Sequence, residues 1–275
     1  MQTGQPSHPI RHPMCPPPKI PIDWGRFRAV LFDLDGVITQ SASVHAAAWK
    51  ETFDDFLTRH SKTTGTTFEP FDSHRDYTRH VDGLPRRDGI RAFLKSRGLS
   101  LAEGSADAPA TSDTIAGLAS RKNTAFRRIL ERDGISIYQD ALVLLRAVEA
   151  RGCRTGLITS SRNSAAVLAA TGLTRRFDVE VDGVVAARLQ LAGKPAPDTF
   201  LEAVHRLAVK PSQAALVEDS IAGIEAASAG GFALIIAVNR AGIAEELRAA
   251  GADLVVDDLA CLAEGAEETS PELGP

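Results

Sequence analysis

The sequence predicts an α/β protein, a Rossmann-like doubly wound parallel sheet with an inserted helical cap domain. Three observations carry this. From about residue 138 onward, short and almost wholly apolar runs alternate with helical segments, the pattern of a parallel sheet covered on both faces. One similar run, Ala29–Phe32, stands alone near the N-terminus, about a hundred residues before that series. The segment between them reads as helices and loops without a strand. A cap inserted into the first connection of the sheet reconciles all three.

In chain order, residues 1–21 contain seven prolines and no aliphatic periodicity, so they read as a disordered tail. "RAVLFD" is a buried strand ending at a glycine turn. "SVHAAAWKETFDDFLTRH" places Val44, Ala48, Trp49, Phe53, Phe56 and Leu57 near one helical face. A second helix spans Arg86 to Arg97 and ends at Gly98, and a third runs from about Ser112 to Arg132. Beyond Gly134, "ALVLLRAVEARGC" is a helix, "CRTGLI" a strand, and Asn163–Gly172 a helix. "DVEVDG" is a short strand and Asp198–Leu207 a helix. "AALVED", "FALIIAV" and "DLVV" are strands separated by the helices "SIAGIEAASAGG" and "AGIAEELRAAG". The expected division is a core of 22–43 and 138–265, a cap of 44–137 and a second tail at 266–275. Ligands of such sheets bind beyond the C-terminal ends of the strands, where the cap would meet the core.

Composition narrows the function classes. A net charge of -4 and a pI near 6.0 argue against nucleic acid or an anionic membrane as partner. Cys15, Cys153 and Cys261 lie far apart, which suggests neither a disulfide framework nor a zinc site and fits a reducing compartment. No apolar stretch is long enough to span a bilayer and no signal core opens the chain, so the expected location is the cytoplasm. A monomer is the default expectation.

Four expected strand ends carry polar groups. Asp33 and Asp35 follow the first strand in "FDLDGVIT". Asp-Gly pairs also form turns, but a part-buried carboxylate needs a cation or hydrogen bonds to offset its desolvation. "GLITSSRN" places Thr159, Ser160, Ser161 and Asn163 where a helix opens, a position that suits phosphate as well as simple capping. Lys194 precedes two prolines in "AGKPAPDTF", and Glu218 and Asp219 end the strand of "AALVED". Carboxylates of that last pair would repel Asp33 across a narrow crevice unless a divalent cation lay between them.

In this order the four segments resemble the haloacid dehalogenase superfamily. "HAAAWK", "DGLPRRDGI", "GKPAPDTF" and "LVEDSIAGIEAA" resemble its β-phosphoglucomutase-like branch. The resemblance implies an Mg2+-dependent phosphotransferase with Asp33 as nucleophile and Asp35 as general acid/base. Thr159 and Lys194 would hold the transferring phosphoryl group. Asp219 and Glu218 would complete the Mg2+ site with the Asp33 carboxylate and the Asp35 backbone carbonyl. The implied reaction converts β-glucose 1-phosphate to glucose 6-phosphate, with glucose 1,6-bisphosphate as intermediate and activator. A sugar-phosphate phosphatase of the same superfamily is the alternative. From the cap the resemblance implicates His45 and Trp49 near the hinge, Gly83, Arg86 on the non-reacting phosphate, and Lys122 and Asn123 facing the sugar. Ser160, Ser161 and Asn163 would line the substrate from the core.

Elementary chemistry agrees with these roles. A carboxylate is ionised at neutral pH and needs no base to act as a nucleophile. Its charge repels a phosphate dianion, so cations must neutralise the gathering charge. A second carboxylate two residues on can then protonate the leaving oxygen. Arg86 and Arg87 open a segment that carries five basic residues against one acid up to Arg97. Such a run is ordinarily a solvated face, whereas a guanidinium suits bidentate binding of phosphate.

Overall fold

The computed structural model describes residues 20–263. The expected N-terminal tail, Cys15 included, and the expected C-terminal tail lie almost wholly outside these residues. Six strands, β1 (Ala29–Asp33), β2 (Arg154–Ile158), β3 (Val179–Val181), β4 (Ala214–Glu218), β5 (Leu234–Val238) and β6 (Leu254–Val256), form one parallel sheet in the order β3-β2-β1-β4-β5-β6. The isolated first strand is thus central. Its register sets Asp33 beside Ile158, one residue before Thr159, and Phe32 beside Val217, one residue before Glu218. Three of the four expected polar strand ends therefore converge by strand pairing alone.

Alternation along β1 sends Val30 and Phe32 to one face and Ala29 and Leu31 to the other, and β4 splits Ala215 and Val217 from Ala214 and Leu216 in the same way. Helices α5 (Gln139–Ala150) and α6 (Ser164–Thr171) cover the first face. Helices α8 (Asp198–Arg206), α9 (Ile221–Gly230) and α10 (Ala244–Ala249) cover the second. Both faces being covered explains why the strands read as apolar runs without alternation.

Between β1 and β2 come α1 (Ala42–Thr64), α2 (Arg75–His80), α3 (Arg86–Ser96) and α4 (Ile115–Asp133). Trp49, Phe53, Phe56, Phe71, Phe93 and Leu118 give them a hydrophobic cluster of their own. Phe126, Ile129 and Leu130 of α4 pack instead into the core cluster with Val44 and Ala48, so the base of this helical unit is continuous with the sheet layer. The chain crosses between the two parts twice, at 38–40 and 136–138. There Gln40 donates its amide to Ser136 and Tyr138 donates to Ile38.

Two short helices were not foreseen. Helix α7 (Gly183–Leu189) buries no residue and so has no apolar period to read; the Asp182 carboxylate, accepting from the Val184 and Val185 amides, starts it. Helix α2 is one polar turn and a half, started by Asp72. Helix α4 begins later than expected because the Thr114 hydroxyl accepts from the Gly117 amide. No helix among the described residues is long and apolar enough to cross a membrane.

Candidate active site

A cavity of about 760 Å3 lies between the strand ends and the helical insertion. Asp33 is buried at its floor. Lys194, 3% exposed, donates to Asp33 Oδ1 at 2.6 Å and also bonds Glu218. Burial opposes the charge of Lys194, but the two carboxylates outweigh it and hold the ammonium protonated. Burial pushes the Asp33 carboxyl up, against Lys194, with Glu218 and Asp35 adding to the push.

Asp35 points toward the hinge side. It accepts from Ser41 at 2.5 Å and from the Thr159 hydroxyl at 2.9 Å. His45 Nε2 lies 3.3 Å from it, off the hydrogen-bond direction, while Nδ1 pairs with Lys122 Nζ at 2.7 Å. Burial resists ionisation of Asp35, but His45 and the two hydroxyls hold its carboxyl well below the usual range. Burial, and then Lys122, favour a neutral His45, which conflicts with a charged imidazole beside Asp35. The two hydroxyls stabilise the anion in either state of the ring, so Asp35 is ionised. Lys122 is enclosed by the rings of Trp49 and Phe126, at 5.0 and 4.8 Å, and burial and Arg86 push its ammonium well down.

Glu218 and Asp219 are adjacent yet differ in surroundings. One oxygen of Glu218 takes Lys194; the other accepts from the Asp219 and Ser220 amides and the Ser220 hydroxyl. Both oxygens of this expected metal ligand are thereby committed. Asp219 is 8% exposed and has no side-chain hydrogen bond or ion pair among the described residues. It packs on the Gly36 backbone, where a Cβ would fall 1.8 Å from its Oδ2. Burial and the carboxylates of Asp82, Glu218 and Asp33 push its carboxyl up. Among the described residues no three acidic, imidazole or thiol groups converge as a complete metal cage. An unpartnered carboxylate within electrostatic reach of Asp33 nevertheless fits Mg2+, which takes one or two carboxylates and completes its shell with phosphate and water.

The insertion closes the other end. Gly83, with φ +69, lies against Ser220, where a Cβ would meet the hydroxyl at 2.3 Å, and its carbonyl accepts from Ser160 at 2.8 Å. Arg86 donates to the Ala119 carbonyl and to Asn123 Oδ1. Asn163 joins this group, donating to Asn123 Oδ1 at 2.9 Å and accepting from Arg127 at 3.3 Å. A second cavity of about 270 Å3, lined by Arg86, Arg127 and Arg162 with no acid, opens here. Burial and then the neighbouring Arg162 and Arg127 pull Arg86 down to about 10. Ser161 turns its amide to Thr159 and its hydroxyl to the Asn163 amide. Every expected site residue thus lies in one of two groups, around Asp33 and Asp35 or around Arg86, except that Trp49 stacks on Phe53 as well as lining the main cavity.

Sequence reasoning missed Ser41, Tyr77, Asp82, Arg127 and Arg162. Tyr77 and Asp82 reach the main cavity, and burial followed by Glu218 raises Asp82 to about 7. Arg162 stood inside the quoted "SSRN". Arg127 lies five residues after Lys122, on a face whose partner only the packing reveals.

Residues 27–231 match the haloacid dehalogenase-like hydrolase family. The chain belongs to this family. It is 45% identical to a β-phosphoglucomutase of Mycobacterium bovis over 238 residues, covering 86% of this chain and 91% of that one. A β-phosphoglucomutase of Bacillus subtilis is 32% identical, over 83% of this chain and 88% of that protein. Among solved structures, CbbY from Rhodobacter sphaeroides in complex with phosphate superposes with a TM-score of 0.63 at 25% identity, covering 85% of this chain and 95% of that one. The expected family and fold class stand.

Proposed function

We propose that the chain is an Mg2+-dependent phosphotransferase that converts β-glucose 1-phosphate to glucose 6-phosphate through an aspartyl-phosphate on Asp33. The observation that carries this reading is a pair of adjoining cavities that share Arg86, Asn123 and Arg162 and between them offer two anion-handling ends. Asp33, Lys194 and Asp219 lie at one end, and three guanidiniums without an acid lie at the other. A bisphosphate needs both ends, whichever of its phosphates faces Asp33.

Asp33, phosphorylated in the working enzyme, passes its phosphoryl group to the 6-hydroxyl of the substrate. Asp35 takes the hydroxyl proton as the new O–P bond forms and the Asp33–phosphorus bond breaks. The bisphosphate turns over within the cavity. Asp33 then attacks the phosphorus of the 1-phosphate while Asp35 returns its proton to the leaving sugar oxygen. Lys194 offsets charge at the reacting phosphoryl, held there by Glu218, which this reading moves from ligand to anchor. Asp33, Asp219 and the Asp35 carbonyl would hold Mg2+, which when bound neutralises charge between carboxylate and phosphate. The Ser41 and Thr159 hydroxyls keep Asp35 oriented with His45 and Lys122 beside it, and Trp49 walls the sugar. Ser161, Asn163 and Arg86, with Arg162 and Arg127, take the distal phosphate. A cytoplasmic monomer suits the two free, buried cysteines Cys153 and Cys261 and a site completed within one chain.

Product analysis with β-glucose 1-phosphate, Mg2+ and glucose 1,6-bisphosphate tests the reading. Glucose 6-phosphate is expected, after a lag that the bisphosphate abolishes. Arg86→Ala should cost isomerisation about 2–4 kcal/mol, the range for a truncated charge pair in a closed site. It should spare hydrolysis of small aryl phosphates. Stoichiometric inorganic phosphate, no response to bisphosphate and indifference to Arg86→Ala would establish a sugar-phosphate phosphatase instead.

A further inference from the structure

Arg240 lies in the loop after β5, away from the cavity lining, and meets three separate segments. Its Nη2 donates to both oxygens of Asp140 at 2.9 and 2.8 Å, and Nη1 donates to the Asp257 carbonyl at 3.3 Å. Nε reaches the Gly36 carbonyl at 3.4 Å. The guanidinium carbon sits 3.8 Å from the centre of the Tyr138 ring. Asp140 is itself anchored, accepting from the Leu259 amide at 2.9 Å. The Arg240 side chain is 16% exposed.

Two of those partners matter for chemistry. Gly36 follows Asp35 directly, holds φ +93, donates its amide to Thr39 and carries the Asp219 carboxylate against its Cα. A shift of Gly36 therefore moves both Asp35 and the seat of Asp219. Tyr138 belongs to the return crossing from the insertion, and its amide donates to the Ile38 carbonyl two residues beyond Gly36. An arginine that merely paired with Asp140 would need neither the ring nor the carbonyl. A planar fork that stacks and donates at once is a task lysine cannot reproduce.

We propose that Arg240 is a positioning residue that ties the catalytic turn at Gly36 to the hinge crossing at Tyr138 and Asp140. The proposal rests on the reading of Asp33 and Asp35 as the reacting pair. Arg240 touches no residue of the cavity lining, so its loss reaches the cavity only through the turn, at Asp35 and Asp219, and leaves the substrate-facing residues of the insertion in place.

Steady-state kinetics of Arg240→Lys and Arg240→Gln, with hydrogen exchange of the peptide spanning 34–41, test it. The expected result for both is a kcat about tenfold or more below wild type, the scale for a small misplacement of reacting groups. KM for the sugar phosphate should stay within about twofold, since pocket binding is untouched. Exchange in the 34–41 peptide should rise while that of the β5 peptide holds. Should Arg240→Gln not fold, Arg240→Lys, which retains the charge opposite Asp140, decides alone. Wild-type kcat with unchanged 34–41 exchange in a folded variant overturns the proposal, even if the melting temperature falls, and so does a rise in KM with kcat unchanged. Wild-type enzyme unable to transfer phosphoryl groups would sink the Asp33–Asp35 reading instead; the exchange result would still decide whether Arg240 holds the turn.

Discussion

Lys194→Met removes the ammonium shared by Asp33 and Glu218 and keeps much of its volume. Lys194 and both acids are buried, with Nζ 2.6 Å from Asp33 and bonded to Glu218. At an effective dielectric near 20, each contact is worth about 6 kcal/mol of gross attraction. Several kcal/mol of that is offset in wild type by desolvation of the ammonium, which the variant no longer incurs. Methionine also packs acceptably against Phe200, whose ring now lies 5.1 Å from Nζ. The net expectation is a loss of about 3–5 kcal/mol, the range for breaking a buried pair from one side.

The loss must depend on pH. Asp33 is pushed up by burial, by Glu218 and by Asp35, and Lys194 is what pushes it down. Native Asp33 is already raised above its unfolded value in wild type, and removing Lys194 raises it further, so the native variant keeps its proton to a higher pH than native wild type does. Folding then loses stability as pH rises through the native value. The deficit should be larger at about pH 8 than at about pH 5. Urea unfolding at the two pH values measures it. The double variant Lys194→Met/Glu218→Gln should recover at least about 1 kcal/mol, because the two sites are coupled. A deficit under about 1 kcal/mol, equal at both pH values, would mean that water screens the pair as at a surface, and the burial argument would fail.

Asp33→Asn keeps shape but removes the anionic nucleophile, so turnover should fall at least about a thousandfold; near-normal turnover of the folded variant would mean Asp33 is misassigned. Chelation should abolish activity and Mg2+ restore it, with Mg2+ also raising the melting temperature by mass action; full activity in excess chelator would remove the metal from the mechanism. Asp82 sits near 7 in the native state because of burial and Glu218, against about 3.9 unfolded. The native state therefore binds the extra proton between those values and loses stability as pH rises through them. Asp82→Asn should be more stable than wild type near pH 8 and lose that advantage toward about pH 5; thermal unfolding across this range, without Mg2+, checks the sign.

Local signals sufficed for much of this molecule. The apolar runs of β1, β2, β4 and β5 announced a sheet covered on both faces, because a strand buried on both sides has no polar period. Asp33, Asp35, Thr159, Lys194 and Asp219 stood out because each lies at the end of a run or beside a turn, and the resemblance carried by the order of their segments implied their roles. Packing decided the rest. Glu218 and Asp219 are neighbours in sequence, yet one turns inward to Lys194 and two amides while the other faces the cavity without a partner. Arg127 and Arg162 joined Arg86, and Tyr77 and Asp82 reached the cavity, only when the insertion docked on the core. Helix α7 buries nothing and left no period to detect. The physical reason is the same throughout. Periodicity reports which face of an element is apolar, but the partner a polar side chain meets across a hundred residues depends on how the layers dock.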